Sequence, residues 1–218
     1  MKKISLLALF ALTVLIATAQ KPPIVITPGV GVNNIKLGMS EKQVTAILKG
    51  QPVGSSYADQ LDAFKGYDTR IDSVMQFVLG FDSCLRYDGD LPVSMPVFGL
   101  YFKNHKLNFI TVTSYSATDD HLKRVKINNG IKFHDNMESC GKKLAKSPYL
   151  SLGYGDYSGD HYYYTLGLEM VYDENKLTAI GIYPVTKDFP AKIAENSERL
   201  QKEAASDPDE EGEEEENN

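Results

Sequence analysis

Apolar and polar positions change period several times along the chain, and each change marks an element. Val44, Ile47 and Leu48 fall on one face at helical spacing. The flanking residues set the boundaries of that helix. Ser40 is an N-cap type, and Gln43 three residues on completes a capping box. Met39 can staple to Val44, Gly50 suits the left-handed C-terminal position, and Pro52 blocks continuation. The segment Asn129–Pro148, NGIKFHDNMESCGKKLAKSP, repeats this grammar. Ile131, Lys132, Leu144 and Pro148 stand where Ile35, Lys36, Leu48 and Pro52 stand. Phe133 replaces Leu37, Cys140 replaces Val44, and Asp135 or Asn136 is the expected cap.

Two other segments alternate with period two. Val97–Val112 (VFGLYFKNHKLNFITV) aligns without gaps to Gly167–Ile182 (GLEMVYDENKLTAIGI). Lys106, Leu107 and Ile110 match Lys176, Leu177 and Ile180. Each reads as a hairpin, with polar turns at Lys103–His105 and Asp173–Asn175. Elsewhere the pattern predicts a short strand at Ile24–Ile26. It also predicts a strand within Ile71–Tyr87, where Met75, Phe77, Leu79 and Phe81 alternate and Gly80 marks a bulge or bend. Ser55–Arg70 has no clear assignment, Ser116–Lys126 reads as a polar link, and Tyr149–Tyr154 as a strand followed by a turn at Gly155–Asp160. Pro190 is suited to open a last helix, Ala191–Ala205.

Helix-then-hairpin thus occurs twice, which predicts an α+β chain of two tandem repeats. Each repeat is a short helical segment plus a small antiparallel sheet. The expected boundaries are a leader at 1–19, repeat one at 20–116, repeat two at 117–186, a C-terminal helix at 187–206 and a disordered acidic tail at 207–218.

The two ends change the picture of charge and compartment. Lys2 and Lys3, the apolar run Ile4–Ile16 and the small residues Ala17-Thr18-Ala19 form the pattern of a cleaved signal peptide. The run is short for a bilayer crossing, and no other long apolar segment follows, so an exported periplasmic or extracellular protein without a transmembrane segment is expected. Of 23 Lys and Arg, two lie in the leader, and of 29 acids, eight lie in the tail; the remaining 21 of each cancel. A neutral body gives no electrostatic support to nucleic-acid binding. The tail reads as a solvated extension.

The run IKLGMSEKQVTAILKGQP resembles the start of the small outer-membrane assembly lipoproteins of the SmpA/OmlA type. Gly38, Met39, Val44, Leu48, Gly50 and Pro52 match that pattern in kind, although Lys49 is an added residue and no Cys follows the leader for lipidation. The tandem helix-plus-sheet plan is also similar to that of the secreted β-lactamase inhibitor proteins. The resemblance implies a non-enzymatic binding scaffold and carries no binding residues to transfer.

Candidate chemistry is sparse. His105, His121, His134 and His161 show no metal-ligand spacing, and there is no C-x-x-C, nucleophile elbow, phosphate loop or dinucleotide fingerprint. No cofactor, metal ligand or catalytic residue is assigned. Asp156, Asp160 and His161 in GDYSGDH are the best local cluster, and an envelope hydrolase built around them is the alternative reading. Cys84 and Cys140 in an exported chain invite a disulfide, but Cys140 takes an apolar helix position, which favours reduced, core-packed thiols.

The leading reading is an exported scaffold that binds an unknown envelope or secreted protein through a sheet face. Phe98, Leu100, Phe102, Ile110 and Val112 share one parity with Leu168, Met170, Tyr172, Ile180 and Ile182, and Tyr162, Tyr164 and Leu166 extend it. That face is expected under the helices. The opposite parity holds the partner-binding candidates Tyr101, Phe109, Tyr115, Tyr163 and Tyr183. The same Tyr and Thr pattern also suits an ordinary solvated sheet, or a face covered by a third layer.

Overall fold

The structure is a computed structural model and describes residues 23–47, 70–87, 97–114, 122–145, 147–153 and 157–206. In chain order its first elements are β1 (Ile24–Thr27), β2 (Gly31–Val32), β3 (Ile35–Lys36), α1 (Glu41–Ile47), α2 (Arg70–Leu79), β4 (Ser83–Tyr87), β5 (Val97–Lys103) and β6 (Lys106–Thr113). Then come β7 (Val125–Ile127), α3 (Met137–Lys143), β8 (Leu150–Gly153), β9 (Gly159–Tyr163), β10 (Leu168–Asp173), β11 (Lys176–Ile182) and α4 (Phe189–Ser206). The chain is α+β, and its strands form two sheets.

The two expected hairpins form, and they merge. β5–β6 and β10–β11 lie side by side in one seven-stranded antiparallel sheet of order β4-β5-β6-β11-β10-β9-β8. Both hairpins close through two residues with positive φ, Asn104–His105 and Glu174–Asn175. That conformation matches the twist of the flanking strands, and Asn tolerates it well. The ladder shifts register between Tyr101 and Phe102 in one hairpin and between Val171 and Tyr172 in the other. In the centre Thr111 faces Gly181, with Val112–Ile180 and Ile110–Ile182 on either side. The polar link of the sequence reading contains β7, which pairs parallel to β1 and completes a small sheet of order β3-β2-β1-β7.

Both short helices begin as their caps dictate. The Ser40 backbone N–H donates to Gln43 Oε1 at 2.9 Å, and the Gln43 N–H donates to Ser40 Oγ at 3.3 Å. Asn136 is the cap of α3, its Oδ1 accepting from the Ser139 N–H at 2.7 Å. Gly50 and Pro52 lie outside the described residues. The loop before each helix docks on a hairpin in the same way. Gly38 N–H donates to Leu107 O and Leu107 N–H to Met39 O, each at 2.7 Å; His134 N–H donates to Leu177 O and Leu177 N–H to Asp135 O, each at 2.9 Å. Gly38 and His134 both have positive φ at that point.

The segment expected as a strand around Met75 is instead helix α2. Alternation of Met75, Phe77 and Leu79 fits a strand, but the buried set is Val74, Met75, Val78 and Leu79, a helical stripe. Gly80 is its left-handed C-terminal residue, at φ +68, and not a bulge. The Gly80 N–H donates to Gln76 O at 2.8 Å, and Lys103 Nζ donates to Leu79 O at 2.7 Å, so the last turn keeps its carbonyls satisfied.

The large sheet is buried on both faces. One face carries Leu100, Phe102, Ile110, Val112, Leu168, Met170, Ile180 and Ile182, packed against the small sheet, Val44 of α1 and Cys140 of α3. On the other face Tyr101, Phe109, Tyr162 and Tyr183 pack under α2 and α4. Phe81 stacks on Phe109 at 5.5 Å, and Phe189 stacks on Tyr183 at 4.5 Å. The last helix starts at Phe189 and is part of the core through Phe189 and Ile193. Cys84 and Cys140 are both buried, in different core layers on opposite sides of the sheet, and are not joined to each other.

Candidate functional site

The five aromatic residues expected to meet a partner do not form an open surface. Tyr101 is 7% exposed, Phe109 0%, Tyr163 1% and Tyr183 0%, and Tyr115 lies outside the described residues. The reason is the third layer. The side chains of α2 and α4 supply apolar surface that only this sheet face can cover. Tyr163 also has the other parity from the one expected. It pairs with Leu168 and joins the face that packs on the small sheet, while Tyr162 joins the helix-covered face.

The residues of the alternative reading diverge for the same reason of period two. Asp160 and His161 are neighbours on β9 and point to opposite faces. Tyr162 Oη lies 3.5 Å from Asp160 Oδ2 on the helix-covered side. There the Glu169 carboxylate lies over Gly181, a position where a methyl group would collide with it and with the Phe109 ring. Burial first, and the Glu169 charge second, raise the Tyr183 pKa. Asp156 lies outside the described residues.

Two exposed aromatic residues flank β8, the outermost strand of the sheet, one before it and one after it. α3 closes at Leu144, Ser147 N–H donates to Leu144 O at 2.8 Å, and Pro148 then holds the chain out of helix. β8 follows, paired to β9 through Leu150–Tyr162, Ser151–His161 and Leu152–Asp160. Leu150 and Leu152 pack on the Phe189 layer, so Tyr149, Ser151 and Gly153 take the other face. Tyr149 is 49% exposed, and its ring stacks on His161 at 4.7 Å and lies 5.2 Å from Tyr163. Tyr157, at the start of the return to β9, is 65% exposed. Among the described residues nothing pairs with the outer edge of β8.

Beneath Tyr149 the titratable groups are held in their neutral forms. Burial lowers the His161 pKa below its ordinary 6.5. Burial, and then Tyr149 and Cys140, push Tyr163 up to about 12. Burial raises the Cys140 thiol, which contacts the Tyr172 hydroxyl. A buried thiol above its ordinary pKa is a packed group and not an activated nucleophile. Among the described residues no cluster of three or more His, Cys, Asp or Glu is placed to hold a metal ion, and no helix is long and apolar enough to cross a membrane.

The sequence reading passed over Tyr149 and Tyr157 because neither lies in the two hairpins. The charge-free run from Ser147 to Gly155 marks Tyr149, whereas Tyr157 follows Asp156 and carries no such signal. No protein-family model matches the chain, and no curated protein or solved structure matches it.

Proposed function

We propose that the chain is an exported, non-catalytic binding protein of the cell envelope, built from two copies of one helix-and-hairpin unit, which takes a partner protein at the β8 edge of its large sheet. The observation that carries the reading is the exposed Tyr149 ring at the start of β8, whose outer edge pairs with no strand among the described residues; Tyr157, also exposed, follows β8 at its far end, beside the turn at Asn175. An open edge offers a row of backbone donors and acceptors to an extended segment, and Tyr adds large contact area with few rotors.

Duplication is supported by what recurs. The turn residues 104–105 and 174–175, the register shifts at 101–102 and 171–172, and the docking bonds at Leu107 and Leu177 repeat seventy positions apart. Positive φ at Asn33 and Gly38 recurs ninety-six positions on, at Asn129 and His134. The central pairing of Thr111 with Gly181 joins two positions that the hairpin alignment makes equivalent. The likeness of Gly38-Met39 and the capped helix to the SmpA/OmlA pattern, and of the tandem plan to β-lactamase inhibitor proteins, points to the same class of envelope binding scaffold. Export rests on the Lys-apolar-small pattern of residues 1–19.

The test is capture from envelope extract by the mature protein and by a Tyr149→Ser/Tyr157→Ser variant. Both rings are substantially exposed, so the variant should keep the wild-type melting temperature and lose the captured protein. Undiminished capture by the folded variant would move the site elsewhere.

A further inference from the structure

Natural edge strands are usually kept from pairing by a charge, a proline, a bulge or a cover. β8 has none of the first three. Leu150–Gly153 is LSLG, its ladder with β9 runs without a register shift, and the uncharged run extends from Ser147 to Gly155. We infer that the edge is filled by the same edge of a second copy of this chain, the two β8 strands pairing antiparallel about a two-fold axis at Ser151. The inference rests on the reading of β8 as an interaction edge.

A second copy is the occupant because the strand is complementary to itself about Ser151. Antiparallel pairing centred there sets Leu150 against Leu152 of the second copy, and Leu152 against Leu150. Both pairs lie on the face that packs on the Phe189 layer, so the apolar layer continues across the axis. On the other face Tyr149 meets Gly153 of the second copy. Tyr149 is half exposed, its ring now lying on His161, and no atom lies within 4 Å of where a side chain on Gly153 would begin, so the ring would turn outward onto that glycine. An aromatic ring laid over an edge glycine fills such a gap. A slip of one residue would set Leu side chains against the Tyr face and lose every one of these matches. With four residues on each strand the contact is small, which predicts a weak dimer in rapid exchange.

Sedimentation velocity on the mature full chain, from micromolar to millimolar concentration, should show a monomer passing to a dimer. Ser151 is exposed, so its substitution leaves the core alone. Ser151→Lys sets two ammonium groups together at the axis and should raise the dissociation constant severalfold with an unchanged melting temperature. Ser151→Cys places facing Cα atoms about 4.5–5.5 Å apart, within disulfide range, and should give a disulfide-linked dimer under mild oxidation that reductant reverses. A monomer at every concentration overturns the inference. So does a dimer that is indifferent to Ser151→Lys and does not cross-link through Ser151→Cys. A strict monomer whose Tyr149→Ser/Tyr157→Ser variant loses a captured partner refutes self-pairing and leaves the binding reading intact. Loss of neither dimer nor capture in the variants refutes both.

Discussion

Phe109→Ala separates a core role for the helix-covered aromatic face from a binding role. Phe109 is fully buried on β6, with Phe81 stacked on it at 5.5 Å and Tyr101 at 5.3 Å. Its ring also closes over Gly181, on the neighbouring strand of the other hairpin. Truncation removes the transfer free energy of the ring and leaves a cavity that α2 and the sheet can only partly close, a cost of about 3–5 kcal/mol. Each aromatic pair lost adds about 0.5–1.5 kcal/mol beyond area, part of which is already counted in that range. In a domain of this size 1 kcal/mol moves the melting temperature by roughly 2–4 °C, so a fall on the order of 10 °C is expected. Thermal unfolding followed by circular dichroism measures it, and urea unfolding with an unchanged m-value identifies the loss as stability alone. An exposed phenylalanine on a binding surface would instead cost about half a kilocalorie or less. A melting temperature within a degree of wild type would therefore refute the three-layer packing.

Two further outcomes follow from the buried polar and thiol groups. Because Cys84 and Cys140 lie in separate core layers, alkylation of denatured, unreduced protein should label both, whereas a disulfide would leave both unlabelled; the native fold should slow labelling of Cys140, whose thiol burial holds protonated. Burial lowers the His161 pKa, so the stability tied to its neutral form is complete above the ordinary value of 6.5 and is lost as pH falls from there through the lowered folded value. His161→Gln should flatten that part of the stability–pH curve, and an unchanged slope would mean His161 is not a source of it.

The local grammar was legible in the sequence because it depends on neighbours a few residues apart. Ser40 and Gln43 form the capping box their spacing announces, Asn136 caps α3, and both hairpins turn at the polar residues between their apolar runs. Cys140 sits on the apolar face where alignment with Val44 puts it. What failed were inferences that need knowledge of distant segments. Met75, Phe77 and Leu79 satisfy a strand period, and only the closing contacts at Gly80 and from Lys103 select the helix. Alternation in the hairpins separates two faces, but period two is blind to what covers each. Both faces of this sheet are core because α2 arrives on the second face from the stretch before β4, and α4 from the end of the chain. For the same reason Tyr101, Phe109 and Tyr183 became buried anchors. Tyr149 became an exposed ring because β8 lies last in the sheet order, a position that pairing between distant strands decides.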